Sequence, residues 1–355
     1  MLINYLETKG LIMTKQWTAM AMAIGLLTGL VGGTAWADDT ADASPTMEAT
    51  ATPTPKPTPV PVVWSGLLQA QDNWTGNGNV ESLSLYHVRV RGVIAVDLED
   101  TLAIMPDYSI GTGTTGFTLL DAYGVHKFTD INGLSVMAGQ FKFAFGDNRY
   151  LLPQQLKRTS YNAIDALIPG GAKATAWDLG LEVREQIDAL TIQVDAIQGD
   201  GPNVTVDPNN TIDFTARAEW KDSNFVFGLS DYYGRGGQSA AYTYGSFQDW
   251  FDAYGRLMIE TLDFRTEMIL APNNASGLDI QLSIKPASWF EPLVWFETMN
   301  SSVSNSTIPG IGNTLGAGVN LWAGAKTRVS FDLSFVGTSD ILNTNTETLQ
   351  FEEVF

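Results

Sequence analysis

The side chains able to do chemistry are few and of one kind. The 355 residues contain no cysteine and two histidines, His87 and His126. That excludes disulfides, thiolate metal sites and a cysteine nucleophile, and it leaves little for imidazole catalysis. No G-x-S-x-G element occurs, and neither histidine lies in a motif. The sequence therefore offers no catalytic residue, metal site or cofactor site. What it does offer is basic residues on the polar side of stretches that alternate at period two: Arg89, Arg91, Lys142, Arg184, Arg217, Arg256, Arg265 and Arg328. A planar guanidinium with a fork of donors suits oxyanions. The same polar faces carry Asp178, Glu182, Asp195, Asp213, Glu219, Asp252, Asp263, Glu267, Asp279 and Asp332, so they are mixed in sign and many groups should pair. A second basic set, Arg149, Lys157, Arg158 and Lys173, falls within 146–174 against only Asp147 and Asp165.

Weaker constellations read more simply. Asp200, Asp207 and Asn210 offer oxygen ligands for Ca²⁺, but their irregular spacing suits a solvated turn better. Glu291 and Glu297 form a same-face carboxylate pair without a placed partner, so they read as wall residues. Gly234-Arg235-Gly236-Gly237 follows no strand-to-helix pattern and reads as a loop. The formal charge of −19 and pI near 4.3 argue against nucleic acid as a partner, which requires a basic footprint.

The elements that must carry these residues are strands. Charged residues are only 17%, glycine numbers 34, and aromatics reach 11%. Beyond Gly33 no apolar run is long enough for a membrane-crossing helix. Instead, polar and apolar residues alternate in stretches of about ten, the pattern of a transmembrane β-barrel. Ile212, Phe214, Ala216, Ala218 and Trp220 oppose Asp213, Thr215, Arg217 and Glu219. Trp177, Leu179, Leu181 and Val183 oppose Asp178, Glu182 and Arg184, and Phe141, Phe143 and Phe145 oppose Gln140 and Lys142. The periodicity predicts sixteen antiparallel strands: 63–74, 82–97, 100–108, 117–128, 133–145, 175–186, 189–199, 211–221, 224–233, 246–260, 262–271, 277–286, 289–298, 314–323, 325–337 and 346–355. Connections on one side are mostly short, as at Leu98-Glu99 and Ile187-Asp188. Those on the other are mostly long, as at 146–174, 234–245, 299–313 and 338–345. Short periplasmic turns and long extracellular loops belong to outer-membrane barrels. Aromatics such as Trp64, Tyr108, Trp220 and Trp289 sit near strand ends, where interfaces favour them. The longest loop, 146–174, is the candidate to fold inward and set a constriction, with an ordinary mouth loop as the alternative.

The first residues are processing and spacer sequence. Residues 1–37 read as a secretory signal: Lys15, an apolar run from Trp17 to Gly33, and Ala35-Trp36-Ala37 before Asp38. Met13 offers a second start. An N-terminal membrane helix is the competing reading, and the polar stretch that follows weighs against it. Residues 38–62 are a spacer, in which Pro53, Pro55, Pro57, Pro59 and Pro61 alternate with Thr, Lys and Val and hold the chain extended. Residues 63–355 form the barrel.

Local motifs resemble the phosphate-selective porin O/P family. They are Ser65-Gly66-Leu67-Leu68-Gln69-Ala70-Gln71, Val88-Arg89-Val90-Arg91-Gly92-Val93, Leu120-Asp121-Ala122-Tyr123, and Ala138-Gly139-Gln140-Phe141-Lys142-Phe143-Ala144-Phe145-Gly146. Trp177-Asp178-Leu179-Gly180-Leu181-Glu182 and Gly199-Asp200-Gly201 follow. The likeness covers about 64–220, and Trp177 stands where the family usually has arginine. The resemblance implies a homotrimeric barrel in the bacterial outer membrane that passes small anions through a basic-lined lumen. A terminal aromatic such as Phe355 is typical of chains inserted by the barrel-assembly machinery. The expected function is passive diffusion of small hydrophilic solutes, weakly favouring anions. A sugar or carboxylate channel that uses Tyr123, Tyr254 and Trp295 as a stacking track, or a closed structural or adhesive barrel, stands as the alternative.

Overall fold

The computed structural model describes residues 62–355 apart from 76–80, 98, 111–115, 160, 162, 168–175, 205–210, 236–246, 273–274, 301–311 and 339–340. The signal and all of the spacer except Val62 lie outside the described residues. The strands are β1 Val62–Thr75, β2 Glu81–Ala95, β3 Asp100–Ile110, β4 Gly116–Lys127, β5 Leu134–Lys142, β6 Trp177–Ile187, β7 Leu190–Ile197 and β8 Asp213–Lys221. They continue as β9 Phe225–Gly234, β10 Gln248–Ile259, β11 Leu262–Ala271, β12 Ala275–Ile284, β13 Phe290–Asn300, β14 Gly312–Trp322, β15 Thr327–Thr338 and β16 Ile341–Val354. Each pairs antiparallel with its sequence neighbours, and β1 pairs with β16, so sixteen strands close into a barrel. Closure leaves no unpaired edge, which is the condition for a sheet to cross hydrocarbon.

The period-two pattern fixes which face is which. In β9, Phe225, Phe227 and Leu229 are exposed, while Val226, Gly228, Ser230 and Tyr232 are buried. In β8, Phe214, Ala218 and Trp220 are exposed, while Asp213, Thr215 and Arg217 are buried. Apolar side chains thus cover the outside, and polar ones line the lumen. The final strand is tied by a reciprocal pair: Gly66 N donates to Phe355 O at 2.9 Å, and Phe355 N donates to Gly66 O at 3.1 Å. The Phe355 ring lies over Gly66, where a Cβ would stand 2.1 Å from it.

Short turns use local chemistry. Asp97 Oδ1 accepts from the amides of Asp100 and Glu99 at 2.7 and 2.8 Å, and these donors hold its carboxyl below the usual value. Asp222 Oδ1 accepts from Asn224 and Phe225 in the same way. Such Asx turns are a standard use of aspartate. Asp188 and Glu260 take positive φ of 52° and 50° in the two-residue turns after β6 and β10.

Three details differ from the sequence reading. β16 begins at Ile341, so the connection after β15 is 339–340 rather than 338–345. β5 stops at Lys142 instead of 145, and beyond it Phe143 and Phe145 enter the barrel. Phe141, still within β5 and paired with the buried Asp178, joins them in an internal cluster with Tyr232, Trp250, Ile164 and Leu167, so none of the three lies on the outer surface. Trp177 also departs from its expected outward face. It is buried and its indole N–H donates to Asp121 Oδ1 at 2.7 Å. It is the first residue of β6, and Ala176 before it takes φ 60°.

Candidate functional site

The connection between β5 and β6 folds into the lumen. It carries one helical turn at Asp147–Tyr150 and short 3₁₀ turns at Pro153–Gln155 and Ala163–Leu167. Its path is marked by inward-facing side chains of successive strands. Ala144 N donates to Asp195 of β7 at 2.7 Å, and Gly146 N to Ser230 of β9 at 3.1 Å. Asp147 N donates to Glu267 of β11 at 2.7 Å. Thr159 reaches Asp332 of β15 through its amide and its hydroxyl, at 2.7 and 2.8 Å. The loop thus crosses from β5 to the far wall.

Its basic residues are fastened there. Lys157 pairs with Glu291, and with Asp263 at 3.3 Å. Arg158 pairs with Glu297 at 2.9 Å and Asp279 at 3.7 Å, and its guanidinium lies 5.4 Å from the Trp295 ring centre. The carboxylates Glu291 and Glu297 are therefore loop anchors. Arg149 lies over the Tyr161 ring at 4.9 Å, and Lys173 falls outside the described residues. Wall donors return the contact. Arg328 donates to Leu156 O at 2.5 Å and to Glu352 at 2.9 Å, and Asn320 donates to Lys157 O at 2.9 Å. The apolar side of the attachment is Ile164 and Leu167, both fully buried. Gly277 on β12 makes room for them, because a Cβ there would meet Ile164 Cγ2 at 2.5 Å. Sequence reasoning missed this seat. Its one trace in the sequence is the Ile164-Asp165-Ala166-Leu167 stretch of the loop.

The wall basics divide into spent and accessible groups. Arg89 is buried and pairs with Asp107 at 3.1 Å, which also bonds His87 at 2.8 Å. Arg217 is buried between Tyr150 and Tyr254, 4.1 and 5.0 Å from their ring centres, and pairs with Glu219 at 2.6 Å. Arg265 lies 3.5 Å from Asp263, and Lys142 donates to Leu151 O at 2.6 Å beneath the Trp177 ring. Arg91, Arg184 and Arg256 pair with Asp121, Glu182 and Asp263 at 3.1, 3.0 and 2.6 Å, yet they remain partly open to the lumen. These three stand three or four residues from the short-turn ends of β2, β6 and β10. Tyr254 and Trp295, two of the three rings expected as a stacking track, have guanidinium groups over them. Of the suggested calcium ligands, Asp207 and Asn210 fall outside the described residues. Among the described residues, no three His, Asp or Glu side chains gather as metal ligands do.

No family model matches the sequence, and neither does any curated protein. The resemblance to phosphate-selective porins therefore rests on its motifs alone. Solved structures do match in fold. OmpF of Salmonella typhi, in complex with daunomycin, superposes with a TM-score of 0.64 at 10% identity, over 83% of this chain and 97% of that one. OprB of Pseudomonas putida gives 0.62 at 11%, over 83% and 94%. A mutant of the Rhodopseudomonas blastica porin gives 0.55 at 12%, over 83% and 100%. At such identities the likeness is one of architecture, a closed barrel of the bacterial porin kind.

Proposed function

We propose that the chain is a bacterial outer-membrane porin through which small hydrophilic solutes diffuse passively, with a weak preference for anions such as phosphate. The apolar outer belt fits outer-membrane lipid. Assembly as a homotrimer, and insertion by barrel-assembly machinery that reads Phe355, complete the reading. The observation that carries the anion preference is an asymmetry within the lumen ion pairs. Side-chain exposure is 34% for Arg91 against 9% for Asp121, 38% for Arg184 against 3% for Glu182, and 29% for Arg256 against 10% for Asp263. In each pair the carboxylate is sunk against the wall and the guanidinium faces water. Arg217 and Glu219 run the other way, at 4% and 21%, which keeps the preference weak. A solute passing a narrowed, low-dielectric lumen responds to the groups that face it.

The test is the reversal potential of the purified barrel in a planar bilayer under a KCl gradient. The expected sign is that of a mildly anion-selective channel. A cation-selective sign would overturn the preference while keeping the channel. Absence of conductance from folded barrels would favour the closed structural barrel instead.

A further inference from the structure

The turn Ala163–Leu167 seats two apolar side chains and one acid against the lumen wall. Ile164 and Leu167 fill the seat beside Gly277, in a cluster with Ile269, Ala275 and Met299. Asp165, between them in sequence, is buried as well, and neither of its carboxylate oxygens has a hydrogen-bond partner. The charged groups around it are Arg149 and Arg158 of its own loop, Glu297 of β13, Asp279 of β12, Lys142 of β5 and Asp252 of β10. Those of β11 are engaged elsewhere: Asp263 with Arg256, Arg265 near Asp263, and Glu267 with the loop amides. Arg158 is held by Glu297 and Asp279, and Arg149 lies over Tyr161. An ionised Asp165 would thus sit buried and unbonded beside two other carboxylates. A protonated Asp165 would not carry that penalty.

We infer that the Ala163–Leu167 turn is a proton-operated latch, seated when Asp165 is protonated and lifted from the wall, widening the lumen, when Asp165 ionises. Burial pushes the Asp165 carboxyl up to about 7 in the seated state, against the attraction of Arg149 and Arg158. In the lifted state the group returns toward the usual 3.8. A group whose value is raised by seating weakens the seat as pH rises between the two values. Here that is up to about tenfold per pH unit from about 4 to about 7, with no further change above.

The inference rests on the lumen being the conducting path, so the experiment separates the two. Single-channel currents of the full chain are recorded from about pH 4 to pH 8. The expected wild-type result is a wider-conductance state whose occupancy relative to the narrow one grows toward pH 7 and then levels. Asp165→Asn should remain narrow at every pH, while Asp165→Glu keeps the pH dependence. Identical pH profiles for wild type and Asp165→Asn would overturn the latch. If folded barrels pass no current, the channel reading fails and the latch is read by amide hydrogen exchange in 163–167. The wild-type to Asp165→Asn exchange ratio, taken at equal pH, should then climb at least tenfold from pH 4 to pH 7. A constant ratio would overturn the latch.

Discussion

Arg158 shows how a basic residue becomes structural. It is almost wholly enclosed, and its two carboxylate partners are as deeply buried as it is. Removing one partner of such a group leaves uncompensated buried charge, a loss of about 3–5 kcal/mol, whereas an exposed pair is worth about 1 or less. Arg158→Ala should therefore release the loop from β12 and β13 without opening the barrel. Limited proteolysis is the check: cleavage within 143–176 should appear in a barrel that otherwise stays intact. A cleavage pattern like that of the wild type would mean that the apolar seat alone holds the loop. At this scale the sequence reveals residue type but not partner. Glu291 and Glu297 alternate like any wall acids, and only the path of the loop shows that they face Lys157 and Arg158.

Between strand and loop, the decisive contact is the missing side chain at Gly277. β12 carries Ala275, Gly277 and Asp279 inward, and the small pair leaves the hollow that Ile164 and Leu167 fill. Gly277→Val keeps good strand propensity but places methyl groups where Ile164 now lies. It should unseat the turn and hold the wider-conductance state even near pH 4, where the seated turn narrows the wild type, and conductance equal to wild type at that pH would show that the turn does not narrow the lumen. The strands themselves were legible because two-faced burial imposes period two on every one of them. That rule holds only while the chain stays in the wall. Phe143 and Phe145 keep the period of Phe141, but Lys142 is the last residue of β5, and these two phenylalanines beyond it serve the loop's core. Trp177 opens β6 opposite Lys142 and is buried all the same, its indole bonded to Asp121. The loop's own course was not legible, because it depends on contacts with strands more than a hundred residues later in the chain.

The molecule as a whole carries −19, yet the cations that face the lumen water are expected to favour anions. The two are reconciled by where the acids stand. Asp97, Asp130, Asp188, Asp222 and Glu260 are exposed on the short turns, outside the lumen. In water their field decays over a Debye length, about 10 Å at 0.1 M salt and about 3 Å at 1 M. Arg91, Arg184 and Arg256 instead act on a solute inside the barrel, from three separate strands and each near a short-turn end. Replacing all three with glutamate should turn the reversal potential from anion- to cation-selective, and single replacements should move it part of the way. The wild-type preference should also shrink as KCl rises from 0.1 to 1 M, since these guanidinium groups are lumen-exposed and open to screening. If the triple variant kept the wild-type sign, selectivity would have to come from the enclosed cations Arg89, Lys142 and Arg217. Their charges reach the solute only through the wall and would respond little to salt.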